Sequence, residues 1–148
     1  GHAMALDPFD LLGTWRLARW DEERADGSVG RPLGPRPEGI SIYGEDGWMS
    51  CTMTAGNRAP LSGANARHAP EAERAAAFSS LLAYCCRWRV EGDEVLHRVE
   101  VAHNPAMIGT TQSRRASLQG DALTLTTGDH ASGGLHRLWW RRVAEVEG

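Results

Sequence analysis

No apolar run in this chain approaches the ~20 residues that a membrane-crossing helix needs. The motifs of common chemistry are also missing. There is no Walker A loop, no Gly-x-Gly-x-x-Gly, no His-Glu-x-x-His, no Cys-x-x-Cys and no Gly-x-Ser-x-Gly. These absences remove nucleotide cradles, the common zinc sites and the common hydrolase nucleophile from consideration. Cysteine is scarce: only Cys51, Cys85 and Cys86 occur. An odd, unevenly spaced set does not describe a disulfide framework. Reduced cytoplasm is the simplest compartment, although a Cys51–Cys86 cross-strand pair stays open. Positive charge is not in surplus. A net charge of -3 and a pI near 6.1 argue against nucleic acid as a partner. No membrane partner is expected, and no secretory signal opens the chain. Gly1-His2-Ala3-Met4 reads as a cloning scar. Neither a repeat nor a linker divides the remainder, so residues 5–148 read as one domain with room for a real core.

What is present is alternation of period two. Asp10-Leu11-Leu12-Gly13-Thr14-Trp15-Arg16-Leu17 reads as a first strand behind a glycine hinge, with Trp15 and Arg16 on opposite faces. Residues 22–38 form a long Gly/Pro-rich loop. Ile40 and Ile42 alternate with Ser41 and Tyr43. After the turn signal Glu45-Asp46-Gly47, Met49, Cys51 and Met53 share one face of a third strand. Residues 55–69 are loop-like. Pro70 then sits where a helix N1 proline would, and Ala75, Phe78, Leu81 and Leu82 make an apolar helical stripe. This helix either caps an open barrel end or packs outside it. Beyond it, Tyr84, Cys86, Trp88 and Val90 share one face of a fourth strand. Val95, His97, Val99, Val101 and His103 share a face of the fifth, and Gln112, Arg114, Ala116 and Leu118 one of the sixth. Leu123 and Leu125 point inward from the seventh. Residues 128–134 form a loop, and 135–143 close the sheet. The expectation is an all-β, eight-stranded antiparallel up-and-down barrel with one helix inserted between strands 3 and 4.

The ordered motifs Asp7-Pro8-Phe9-Asp10-Leu11-Leu12-Gly13-Thr14-Trp15, Gly39-Ile40-Ser41-Ile42-Tyr43, Asp46-Gly47-Trp48-Met49-Ser50, Leu82-Ala83-Tyr84, Val99-Glu100-Val101, Asn104-Pro105, Gly109-Thr110-Thr111-Gln112 and Leu123-Thr124-Leu125 run through nearly the whole chain. Together they resemble the bacterial lipocalin-like domain family, a calycin-like small β-barrel. The Gly-x-Trp opening is similar to that of calycins. The resemblance implies that Trp15 plugs the closed end of the barrel beneath an arginine from the last strand. Leu138-Trp139-Trp140-Arg141-Arg142-Val143 offers such arginines, and a cation–π contact of this kind is worth roughly 0.5–2 kcal/mol.

His97 stands among valines on an apolar face. A buried imidazole there needs a partner and a shifted pKa. It serves either as a general base or ligand-orienting group, or as a core histidine satisfied by a neighbour. His103 lies six residues on, roughly 20 Å away along a strand, so the two cannot share a metal ion. No metal and no cofactor are expected, and a haem on one histidine has no positive support. Arg114 either points inward, to anchor an anionic ligand oxygen, or lies in water at the rim. Arg115 and Arg141 face solvent by parity. Met49, Cys51, Met53, Tyr84, Trp88 and Trp140, joined by Trp15, Tyr43, Val99 and Gln112, make a soft aromatic lining suited to an irregular apolar ligand. The same residues would equally fill a barrel without a cavity. Six tryptophans against two phenylalanines mark this bias. Cys51 has no sequence neighbour to activate it as a nucleophile.

These features imply binding of a small, mostly apolar organic molecule inside the barrel. Small calycin-like barrels resemble cofactor-free cyclases of polyketide intermediates. If the chain is catalytic, that resemblance implies isomerisation or cyclisation, with His97, Tyr84 or Arg114 polarising a carbonyl. The competing classes are a passive carrier or sensor, and an interaction module with a filled barrel. Oligomeric state is not legible.

Overall fold

A computed structural model describes residues 6–129 and 134–144. The tetrapeptide read as a cloning scar lies outside the described residues, as does the middle of the 128–134 loop. The strands are β1 (Gly13–Glu23), β2 (Val29–Gly30), β3 (Glu38–Tyr43), β4 (Trp48–Thr54), β5 (Leu81–Glu91), β6 (Glu94–Ala102), β7 (Thr111–Gln119), β8 (Ala122–Asp129) and β9 (Gly134–Arg142), and the helix is α1 (Glu71–Ser79). Every pairing is antiparallel. Strands β1 and β3 to β9 run as a meander, and β9 returns to β1 over Trp15↔Arg142 to Glu23↔Leu135, closing an eight-stranded ring. Closure removes the free edges that would invite aggregation.

The ninth strand, β2, lies outside the ring. Its two residues pair with Glu22 and Glu23, beyond the part of β1 that β3 covers. The 22–38 loop thus holds a short strand without a sequence signal, and the helix falls between β4 and β5 rather than between strands 3 and 4. The helix is also shorter than the apolar stripe suggested. Pro70 is its N-cap, not N1. Ser80 ends it, with its Oγ donating to the Ala76 and Ala77 carbonyls at 2.9 and 3.1 Å. Leu81 and Leu82 then pair with Thr54 and Met53 as the start of β5. No helix residue is buried. Phe78 lies against the His103 ring at 5.4 Å.

One parity was left open by the sequence, and one differs from expectation. In β3 the polar alternate goes inside: Ser41 and Tyr43 are buried, while Ile42 is 48% exposed. In β6 a bulge inserts Glu100, because Cys86 faces Val99 while Cys85 faces Val101. An extra residue in one strand reverses its faces. Val101 is therefore 63% exposed, and His103 leaves the His97 face to sit with Nδ1 3.1 Å from the Ala83 backbone.

The closed end is built around Trp15. Its indole is fully buried and donates to the Leu11 carbonyl at 2.9 Å. A 3-10 turn over Pro8–Leu11, N-capped by Asp7, presents that carbonyl. The chain then enters β1 through Gly13 at φ +109°, a conformation that disfavours any residue with a Cβ. Towards the other end, Leu33 from the 22–38 loop joins the core with Met53, Leu17 and Leu82.

Candidate functional site

Strands β3, β4, β5, β6 and β7 send polar side chains to one buried place. His97 has no solvent exposure. Its Nε2 lies 2.8 Å from the Tyr43 hydroxyl and its Nδ1 3.1 Å from the Tyr84 hydroxyl. Burial, and then the Arg114 charge, hold its pKa well below the usual imidazole range, so it is neutral at pH 7. A neutral imidazole has one N–H and one lone pair. One phenol therefore donates to it while the other accepts from it, and the accepting phenol keeps its own O–H for another partner.

The surrounding groups are also held neutral. Burial pushes Tyr43 and Tyr84 well above the ordinary phenol range. It pushes the Cys51 thiol up to about 11 and the Cys86 thiol up to about 12. Cys51 is therefore a protonated core thiol rather than a ready nucleophile. All three cysteines are unpaired, so the Cys51–Cys86 disulfide is not formed. Cys86 contacts the Met49 sulfur at 3.6 Å.

Arg114 enters from β7, beside Val95 of β6. Its Cζ lies 6.0 Å from the Tyr84 ring centroid. Its Nη1 is buried with no hydrogen-bond partner, and the same holds for the Trp140 indole nitrogen. Among the described residues, no carboxylate pairs with Arg114. Its sequence neighbour Arg115 faces out, towards Asp93 at 3.8 Å.

The structure therefore brings Tyr43, His97, Tyr84, Arg114 and Cys51 together, with Met49, Met53 and Val99 on the same inner wall. Trp88 stands at its edge, with its ring against Tyr43 at 5.1 Å and its Nε1 donating to the Gly44 carbonyl at 3.0 Å. Gln112 is not gathered in. It stands opposite His97 but is half-exposed, and its amide donates to Thr110 at 2.9 Å. Trp15 is buried in the closed-end plug, and Trp140 lies in the row with Leu123 and Leu17. Sequence reasoning missed Ser41 as a member of this interior, and it placed Cys86 on the inner face without naming it as lining. The period-two pattern of β5 places Cys86 with Tyr84, and Ser41 shares a face with Tyr43. The three described cavities lie elsewhere. One, of about 370 Å³, separates the 55–61 loop from α1. Another sits by Pro32–Arg36, and the third beneath Phe9 and Trp88.

Together these features define a small up-and-down β-barrel, plugged at one end by Trp15 beneath the Arg142 guanidinium, whose Cζ lies 4.3 Å from the ring centroid, and carrying a buried polar cluster. The chain belongs to the lipocalin-like domain family, whose model matches residues 12–143. No curated protein matches it. Among solved structures it is similar to a lipocalin-like protein from Bacteroides uniformis ATCC 8492, at 13% identity over 90% of this chain and 99% of that one, with a TM-score of 0.47. It is also similar to a variant of the fluorescent protein UnaG, at 11% identity over 93% and 99% of the two chains, with a TM-score of 0.41. No helix among the described residues is long and apolar enough to cross a membrane.

Proposed function

We propose that the barrel interior binds one small, mostly apolar organic molecule, and that residues 5–148 act as a single unit in doing so. One observation carries this reading. Two strong donors, Arg114 Nη1 and Trp140 Nε1, are buried on the inner wall without acceptors. A barrel filled only by its own side chains would leave that cost standing. A ligand with acceptor atoms among apolar ones removes it. Met49, Met53, Trp88 and Val99 supply the adaptable apolar lining.

The Tyr43–His97–Tyr84 chain favours a second reading, a cofactor-free isomerase or cyclase of a polyketide-like intermediate. An imidazole held between two phenols can pass a proton from one to the other while Arg114 polarises a carbonyl. The alternative is a passive carrier or sensor that binds a hydrophobic ligand on the same inner wall without catalysis. The unpaired thiols suit a cytoplasmic setting.

Native mass spectrometry of freshly purified protein tests the binding reading, together with tryptophan quenching against apolar compounds. A co-purifying molecule or saturable quenching is expected. A bare mass and no quenching across the panel would favour a filled barrel. Once a compound is found, His97→Ala separates the two classes: an enzyme loses turnover and keeps affinity, whereas a carrier has only affinity to lose.

A further inference from the structure

Three sulfurs meet on the inner wall. Cys86 stands directly opposite Met49 across β4 and β5, and its Sγ lies 3.6 Å from the Met49 Sδ. Cys51 follows Met49 by two residues on the same face of β4, with Tyr84 opposite it. The two thiols are therefore diagonal neighbours, within side-chain reach of one another. All three residues are buried, none exposing more than 3% of its surface.

The groups around these sulfurs suit negative charge on them. The Tyr84 hydroxyl is hydrogen-bonded to Cys51. With its proton on Nδ1, His97 donates to the Tyr84 oxygen and leaves that O–H for the sulfur. A thiolate accepts such a bond more strongly than a thiol does. The Arg114 charge also favours the ionised form of both thiols, although burial keeps them protonated while no cation is bound. No carboxylate among the described residues pairs with Arg114, and its Nη1 is buried without a partner. Guanidinium cannot shed its proton, so this wall carries a positive charge with nothing to balance it.

We propose that Met49, Cys51 and Cys86 form a site for one soft monovalent metal ion of the copper(I) class. Thiolate and thioether ligands select such ions. Each thiol releases its proton to solvent as the ion binds. Two thiolates and one monovalent cation together carry one net negative charge, which Arg114 offsets. A divalent ion with the same thiolates would be neutral and would leave Arg114 unbalanced. Zinc would also require four ligands in a tetrahedron. Among the described residues, no group of three or more His, Cys, Asp or Glu side chains is placed to hold a metal ion; the third ligand here is a thioether. The site stands apart from the organic-ligand reading above, and either can fail without the other.

The test uses copper(I) alone, in a Cys85→Ser background that removes the partly exposed thiol of the outer face. Under anaerobic, reducing conditions the protein is equilibrated overnight with copper(I) held by bicinchoninate, whose colour reports the copper left behind. One copper ion per chain is expected to leave the chelator and to appear as added mass in the native mass spectrum. Cys51→Ser and Cys86→Ser should each weaken uptake by more than about 100-fold, and Arg114→Gln by about 10-fold. X-ray absorption of the loaded background protein reads the ligands without altering the interior, and three sulfurs with no nitrogen or oxygen are expected. That spectrum decides the matter if the interior variants do not fold. Failure to draw copper from the chelator overturns the proposal. Uptake undiminished by both cysteine substitutions, or a nitrogen ligand in the spectrum, places the ion elsewhere and overturns it equally. Arg114→Gln binding copper as tightly as the background protein would overturn the charge balance on which the choice of a monovalent ion stands.

Discussion

The Arg142 guanidinium lies over the Trp15 ring, with Cζ 4.3 Å from its centroid, and donates through Nη1 to the Leu12 carbonyl at 2.8 Å. Its second nitrogen reaches the Asp10 carbonyl. One side chain of the last strand thus ties the entry turn, the first strand and the buried indole together, on the side of β1 where the ring closes. Arg142→Met, which keeps the apolar stem, should cost about 1–3 kcal/mol by losing the charged hydrogen bonds and the cation–π contact. Trp15→Ala should cost about 3–5 kcal/mol. A double-mutant cycle by urea unfolding should show a coupling of about 0.5–2 kcal/mol. Strict additivity would mean that the stack contributes nothing beyond packing.

Gly39 sits in β3 where two layers of the wall meet. A Cβ there would lie 3.0 Å from Met53 Cγ, 3.1 Å from Leu17 Cβ and 3.2 Å from the Thr52 carbonyl oxygen. The first two are side-chain atoms that can yield a little, whereas the third is backbone. Gly39→Val should therefore overpack the site and lower stability by about 1–3 kcal/mol. Gly39→Ala should lie between the two. An unchanged unfolding midpoint for the valine variant would show that the wall near Leu17 and Met53 is loose.

Much of this barrel was legible as parity. The inward sets Met49/Cys51/Met53 and Tyr84/Cys86 follow from period two alone, whereas for Arg114 the same pattern left the inner wall and the rim both open. The closing arginine followed from the family resemblance. Three features were not legible, each for a physical reason. The bulge at Glu100 leaves no compositional mark, and it alone turns Val101 and His103 away from the His97 face. A six-residue strand such as Glu38–Tyr43 alternates equally well either way round. The choice of Tyr43 over Ile42 for the interior is made by partners distant in sequence, since His97 receives its hydroxyl 54 residues on. The Tyr43–His97–Tyr84 chain exists only because ring closure brings β3, β5 and β6 together around it.

The thiols should separate by reactivity. Cys85 is partly exposed on the outer face, with its Sγ 3.5 Å from Ser50 Oγ. Cys51 and Cys86 are buried and held protonated. In native protein at pH 8, Ellman's reagent should titrate one thiol quickly and the other two only on addition of denaturant. Cys85→Ser should abolish the fast phase. A fast phase of two or three thiols would show that the interior opens far more readily than its packing implies.

The loop over the cavity of about 370 Å³ is strapped to the helix. Arg58 donates to Ser80 Oγ and to the Ala77 carbonyl, each at 3.0 Å, and Ser62 donates to Glu73 through both its amide and its hydroxyl at 2.8 and 2.7 Å. These bonds are exposed, so each contributes little to global stability. Their effect should be local. Arg58→Ala combined with Glu73→Gln should speed proteolytic cleavage within residues 55–62 several-fold, with Tm shifting by only about 1–3 °C. Cleavage at the wild-type rate would mean that the loop is held by its packing and not by these bonds.

His97 makes stability depend on pH in a way that one substitution can isolate. Its pKa is depressed in the folded protein and ordinary, about 6.5, in the unfolded chain. As pH falls below about 6.5 the unfolded chain takes up a proton that the native barrel refuses. Stability contributed by the neutral imidazole is therefore complete above that pH and is lost below it, at about 1.4 kcal/mol per pH unit, until the folded pKa is reached. Between pH 6.0 and 5.0 most carboxylates stay ionised, so the window is clean. His97→Gln keeps a donor and an acceptor near Tyr43 and Tyr84 but has nothing to titrate. It should be less stable than wild type at pH 7.5 and close the gap by about 1 kcal/mol between pH 6.0 and 5.0. His68, His103 and His136 are common to both proteins and cancel in the difference. Parallel stability curves for the two proteins across that window would show that His97 accepts its proton in the native state, and the neutral relay between the two phenols would then be the wrong description of the site.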